Sequence, residues 1–184
     1  MKTIQVKEIM VPLYEYATIS EDATLFEAVT ALEKSQEEYE QSRYPHRAIL
    51  VYNAKNNIIG KISQLDILRA LEPKYEKIAE AKSLSRFGYS AKFLESILNQ
   101  YKLWESPFKD ICMKAGKLKV KKIMTIPAEG EYIFENRSID EAIHMLVMGN
   151  HQSLLVKKEN EITGILRLSD LFHKISESIK LCGL

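Results

Sequence analysis

The stretch "GKISQLDIL", Gly60 to Leu68, reads as a strand tail, a serine able to cap a helix and an acidic residue in the first helical turn. A close counterpart, "GILRLSDLF", runs from Gly164 to Phe172, at an offset of 104. Searching outward from this pair for further self-similarity finds three more blocks in the same order. "VKEIM" (Val6 to Met10) returns as "VKKIM" (Val120 to Met124), and "TLFEAV" (Thr24 to Val29) returns as "SIDEAI" (Ser138 to Ile143), both at an offset of 114. "AILV" (Ala48 to Val51) returns as "SLLV" (Ser153 to Val156) at an offset of 105. The offset falls because the first copy carries extra residues in the polar tract "EKSQEEYEQSRYP", read as a lengthened helix and loop. The chain is therefore written as two copies of one unit.

Each copy reads as strand, helix, strand, strand, helix. Thr24 and Ser138 are N-cap residues with Glu27 and Glu141 three positions on, a capping-box pattern. The apolar face that follows is Leu25, Ala28, Val29 and Leu32 in one copy and Ile139, Ala142, Ile143 and Leu146 in the other, at helical spacing. "AILVY" and "IIGKI" flank the turn-forming "NAKNN" as a hairpin-like pair, and "SLLVK" and "ITGIL" flank "KENE" in the same way. Leu168, Leu171, Phe172, Ile175 and Ile179 mark a final amphipathic helix. The expected core draws on Ile49, Val51, Ile59, Ile62, Leu154, Val156, Ile162 and Ile165. The division is a first unit at 1–72, an apolar helical connector at 73–119 and a second unit at 120–184. In the connector, helical spacing at Phe93, Leu94, Ile97, Leu98 and Tyr101 and a Ser106-Pro107 helix start predict elements that pack on the rest. Its aromatic residues, Phe87, Tyr89, Trp104 and Phe108 among them, are read as core.

Composition narrows the function classes. With 184 residues, 46% hydrophobic and 28% charged, the chain can bury a substantial core. Lys and Arg number 26 against 25 Asp and Glu, so no net field draws the molecule to nucleic acid or an anionic membrane, and anion binding must be local. The two cysteines, Cys112 and Cys182, form neither a disulfide framework nor a metal-ligand pattern. The N-terminal residues lack the apolar run of a signal peptide, and no later run approaches the roughly 20 residues needed to cross a bilayer. The expectation is a cytoplasmic protein with no metal.

The repeated order of an "IM" lead-in, a capped "xEA" helix, an apolar strand and "G-h-x-[ST]-x-x-D" at a strand-to-helix junction resembles the cystathionine beta-synthase (CBS) domain. Two such domains in one chain look like a Bateman module. The resemblance covers Val6 to Leu71 and Val120 to about Ile179. It implies an α/β fold of two tandem βαββα domains packed about a pseudo-two-fold axis. It also implies regulatory binding of AMP, ADP, ATP or S-adenosylmethionine between them, with no cofactor required, and pairing of two chains as a homodimer.

In the family the motif aspartate receives the ribose hydroxyls and its Ser or Thr approaches a phosphate. Those positions are Asp66 and Ser63 in the first copy. In the second, Asp170 keeps its place and Arg167 replaces the Ser/Thr. His46 and Arg47 precede one strand, and His151 and Gln152 precede its counterpart; a His-Arg pair at this point faces phosphates in a member of the family. The resemblance thus implies that nucleotide binds at the first copy's His46, Arg47, Ser63 and Asp66, with His151, Arg167 and Asp170 as their second-copy counterparts.

Physical chemistry leaves two readings of the same residues. A carboxylate can accept two hydroxyl hydrogens, but Ser63 and Asp66 also suffice as a helix cap with no ligand. Arg167 could grip a phosphate with its fork or lay its stem over apolar surface. Three function classes follow: a nucleotide sensor acting on a separate partner protein, a ligand-free dimerisation module, and an enzyme. The chain carries no G-x-S-x-G, H-E-x-x-H, Walker A or Cys-x-x-Cys motif, so the expectation is no catalysis.

Overall fold

The computed structural model describes residues 4–39, 46–72, 74–75, 90–103 and 111–181. Ser106, Pro107, Phe87, Tyr89, Trp104, Phe108 and Cys182 lie outside the described residues. The first repeat contributes β2 (Thr18–Ser20), α1 (Leu25–Tyr39), β3 (Ala48–Tyr52), β4 (Ile58–Ser63) and α2 (Gln64–Leu71). Its lead-in carries a 3₁₀ turn at Val6–Glu8, the short strand β1 (Val11–Pro12) and a second 3₁₀ turn at Leu13–Glu15. The connector supplies α3 (Ala91–Tyr101) and α4 (Ile111–Lys117). The second repeat contributes α5 (Val120–Ile123), a 3₁₀ turn at Glu129–Glu131, β5 (Tyr132–Phe134), α6 (Ile139–Gly149), β6 (Ser153–Lys158), β7 (Glu161–Arg167) and α7 (Leu168–Leu181). The strand, helix, strand, strand, helix order read from sequence is present in both repeats.

Capping chemistry starts the helices where the sequence placed them. At α1 the box is reciprocal: Thr24 N–H donates to Glu27 Oε2 at 2.6 Å and Glu27 N–H to Thr24 Oγ1 at 3.2 Å. At α6 Ser138 Oγ accepts from Glu141 N–H at 3.3 Å, while the Glu141 carboxylate lies 3.4 Å from Arg137 Nη1. In α3, Ser90 accepts from Phe93 N–H, and the chain leaves the helix through Lys102 at φ 50°.

Two sheets result, β2-β3-β4 and β1-β7-β6-β5. In each the first strand of the repeat runs parallel to the second, and the second is antiparallel to the third. The lead-ins are exchanged. Val6 is fully buried among Ile133, Ala142, Leu146, Leu154, Val156, Leu166 and Leu171 of the second repeat. Val120 is fully buried among Ile19, Ala28, Leu32, Ile49, Val51 and Ile62 of the first, with Ile123 and Met124 beside it. Backbone bonds hold each lead-in in place: Val6 N–H to Arg137 C=O at 2.9 Å, and Val120 N–H to Ala23 C=O at 2.8 Å.

A third apolar cluster joins the repeats through Val11, Tyr16, Leu50, Leu155 and Ile165, with Ile58 and Ile162 at its edge. Six of the eight expected core residues are buried, and Ile59 and Ile162 are partly buried against the same clusters. The connector helix α4 packs on α1 and α2, where Lys114 Nζ also donates to the Leu71 carbonyl at 2.9 Å.

Candidate functional site

Exchange of the lead-ins brings a strand-to-helix junction of one repeat against the lead-in of the other. β1 lies antiparallel beside β7, with Pro12 opposite Gly164. On the other side Thr125 exchanges both backbone bonds with Lys61, at 2.8 and 3.0 Å. The two motif glycines allow this approach. A Cβ on Gly164 would lie 2.4 Å from the Val11 carbonyl oxygen, and one on Gly60 would lie 2.8 Å from Met124 Sδ. Two junctions result, each built from both repeats, at the places where the resemblance implies a first cleft beside Asp66 and a second beside Asp170.

In the first cleft Ser63 ends β4 as the N-cap of α2. Asp66 Oδ2 accepts from Ser63 N–H at 2.8 Å and Ser63 Oγ–H at 2.6 Å, while Ser63 Oγ accepts from Asp66 N–H at 3.2 Å. Asp66 Oδ1 accepts from Thr125 Oγ1–H, in the exchanged lead-in, at 3.0 Å, with Arg69 Nη1 3.7 Å away. Lys61 and Glu131, a residue of each repeat, form a mostly buried ion pair nearby. Burial works to raise the Glu131 carboxyl pKa, but hydrogen bonds from Lys61 and the Ala128 N–H, with the charges of Lys61 and His151, hold it below its ordinary value.

The second cleft is wired differently. Arg167 closes β7 and forks onto Asp170 in the first turn of α7, Nε to Oδ2 and Nη2 to Oδ1, both at 2.6 Å. Its Nη1 lies 3.3 Å from His46 Nδ1 in the first repeat. A guanidinium has no acceptor, so Nδ1 accepts and the neutral imidazole carries its proton on Nε2. His46 is 1% exposed, and its ring meets Tyr16 edge-on with centroids 4.2 Å apart. Burial first, and the Arg167 charge second, push the His46 pKa down to about 4, against an opposing pull from Asp170.

The sequence-derived residues thus fall into two groups. Ser63 and Asp66 stand together, whereas the His46 ring reaches the second repeat's Arg167, which holds Asp170, instead of completing the first copy's set. Arg47 is exposed, with its carbonyl accepting from Gln64 N–H at 3.2 Å. His151 is half-buried after α6 and acts electrostatically on Glu131. Sequence reasoning missed Thr125, Tyr16, Lys61 and Glu131. The offset of 114 held a signal for Thr125, since it places that hydroxyl where the first copy has Val11.

The fold and its clefts define a tandem α/β repeat with exchanged lead-ins, built around two strand-to-helix junctions. The CBS domain model matches residues 6–73 and 120–177, and the chain belongs to the CBS domain family. Among curated proteins no sequence matches. Several solved structures share the fold. A CBS domain-containing protein of unknown function from Bacillus anthracis is 18% identical with a TM-score of 0.61, over 95% of this chain and 94% of that one. The CBS domain of a bacterial CNNM/CorC family Mg2+ transporter, in complex with ATP, is 18% identical with a TM-score of 0.58, over 94% and 87%. CBSX2 in complex with AMP is 14% identical with a TM-score of 0.57, over 96% and 98%.

Proposed function

We propose that the chain is a regulatory module that takes an adenosine nucleotide, AMP, ADP or ATP, in the first cleft and passes its presence to a separate protein in the cytoplasm. The observation that carries this reading is the meeting of Asp66 with Thr125 from the opposite repeat at 3.0 Å. Their hydroxyl-carboxylate surface can receive a ribose, and a ligand held there bears on both repeats at once. A change in their relative packing is then the signal. AMP- and ATP-bound relatives of the same fold support the choice of ligand class. CBS domain proteins are typically regulatory, which supports a non-catalytic role.

AMP at 100 times its dissociation constant should stabilise the protein by about 2.7 kcal/mol. For a chain of this length that raises the melting temperature by about 5 to 11 °C. Asp66→Ala should weaken AMP binding about 10- to 150-fold in a calorimetric titration, because hydrogen bonds to charged groups are worth about 1.5 to 3 kcal/mol. Asp66→Asn, which keeps cap character, separates ribose binding from helix stability. S-adenosylmethionine belongs in the same titration series. Unchanged melting with every adenosine compound would favour a ligand-free dimerisation module, a reading supported by the complete Ser63-Asp66 capping box.

Homodimer formation belongs to the same proposal. The helices of the second repeat leave Val147, Met148, Phe172 and Ile179 exposed, while α4 packs against those of the first. Sedimentation should give a species near twice 21.2 kDa at micromolar concentration. Phe172→Ser should weaken that dimer more than Phe26→Ser, although both rings are 63% exposed.

A further inference from the structure

The two motif aspartates differ in what their partners leave for a ligand. Asp66 accepts from the hydroxyls of Ser63 and Thr125 and from the Ser63 N–H, with the exposed Arg69 guanidinium 3.7 Å away and not forked onto it. A hydroxyl can turn, and it can accept a ligand hydrogen while still donating to the carboxylate. Around Asp170 the partner is a guanidinium that donates one hydrogen bond to each carboxylate oxygen. The guanidinium offers donors only, and in a fixed plane. A surface that accepts in the first cleft is therefore converted to one that donates in the second. A ribose diol, which must give its hydrogens to the carboxylate, meets N–H groups there instead. The Arg167 side chain is 7% exposed, and its Nη1 is also engaged by His46 of the other repeat, so moving it aside breaks contacts on both sides of the interface.

We propose that Arg167 is the specificity-determining residue of the second cleft: by occupying Asp170 it excludes a ribose and leaves the chain one nucleotide site per protomer. This rests on the nucleotide reading of the first cleft. Its mechanism is the clasp itself, a side chain of the protein standing where a ligand would have to bind. Replacing Arg167 with the residue that its repeat partner carries should uncover Asp170 and recreate the acceptor surface of the first cleft.

The test is equilibrium dialysis and calorimetry of AMP against the full chain and against Arg167→Ser. One AMP per protomer is expected for the parent and two for Arg167→Ser, the added site disappearing again in Arg167→Ser/Asp170→Ala. Arg167→Lys keeps the charge but loses the fork, and should show a second site weaker than that of the serine variant. It serves if Arg167→Ser fails to fold, as judged by circular dichroism. Two sites in the parent, or one site in a folded serine or lysine variant of a parent that binds one, would overturn the proposal. No AMP on the parent but one on Arg167→Ser would support the clasp while removing the first-cleft reading. No AMP on either would overturn both.

Discussion

The Asp66 and Asp170 carboxylates occupy equivalent places in two copies of one fold, each at the first turn of a helix that follows a hydrogen-bonded strand pair. Around them the backbone repeats: a glycine accommodates the opposite lead-in, and a buried valine anchors that lead-in. The side chains do not repeat. Ser63 leaves its aspartate bonded to two hydroxyls and a backbone N–H, with Arg69 only at 3.7 Å, whereas Arg167 locks its aspartate into a charge-assisted fork that extends across the interface to His46. A single position three residues before each aspartate thus decides whether a junction is a polar surface or an internal tie between domains. Duplicated architecture does not imply duplicated chemistry.

The widest gap between the repeats should appear on removing the tie. Arg167→Ala leaves Asp170 without its counterion and His46 without its donor, a change that typically costs about 3 to 5 kcal/mol for a buried pair. Ser63→Ala, at the matching position, removes one cap and should cost about 0.5 to 2 kcal/mol. Urea unfolding of both variants checks this; equal losses would erase the distinction.

Acid probes the same tie. The neutral His46, with its pKa near 4 in the fold against 6.5 when exposed, binds fewer protons folded than unfolded between those values. Stability is therefore full above about pH 6.5 and declines as pH falls, by about 3 kcal/mol once pH 4 is reached. His46→Gln, whose amide oxygen can still accept from Arg167, should flatten this part of the profile. A parent and variant with parallel profiles would remove His46 from the account.

A smaller contrast lies in the glycines. Gly164→Ala drives a methyl into the Val11 carbonyl and the Pro12 backbone, which cannot yield without shifting β1. Gly60→Ala meets the Met124 thioether at 2.8 Å, which can turn aside, and the Thr125 carbonyl at 3.1 Å, a milder backbone contact than that at Gly164. We expect about 2 to 3 kcal/mol of destabilisation for the first and about 1 kcal/mol for the second, within the usual range for overpacking. Thermal melting of the pair ranks them.

Much of the fold was legible because repetition and periodicity are local signals. The capping residues, the face of α1 and the paired strands lie within a few positions of one another, and the same pattern written twice made each reading a check on the other. The exchange of lead-ins was not legible, because Val6 and Val120 carry the same apolar character whichever core they enter. The clefts were half legible. Ser63 and Asp66 meet through local spacing, and so do Arg167 and Asp170 at i and i+3, yet the sequence left Arg167 between a phosphate and an apolar surface. The structure gives it a third partner, its own repeat's aspartate. His46 and Thr125 join their aspartates only through tertiary structure, across 121 residues for His46 and Arg167 and 59 for Thr125 and Asp66.

The exchanged lead-ins also set the order in which the protein can assemble as it is made. Val6 leaves the ribosome well before the pocket that receives it, which is lined by residues as late as Leu171. At 5 to 20 residues per second, the lead-in waits roughly ten to thirty seconds for that pocket to be synthesised. The first repeat waits as well, since its core lacks a wall until Val120 emerges. The first core can close once Val120 emerges, ahead of the second, but a nascent chain stalled between the repeats leaves that core unfinished and Val6 without its pocket. Newly made chains should accordingly close the two cores in order, the first after Val120 and the second, with Val6, only after Leu171.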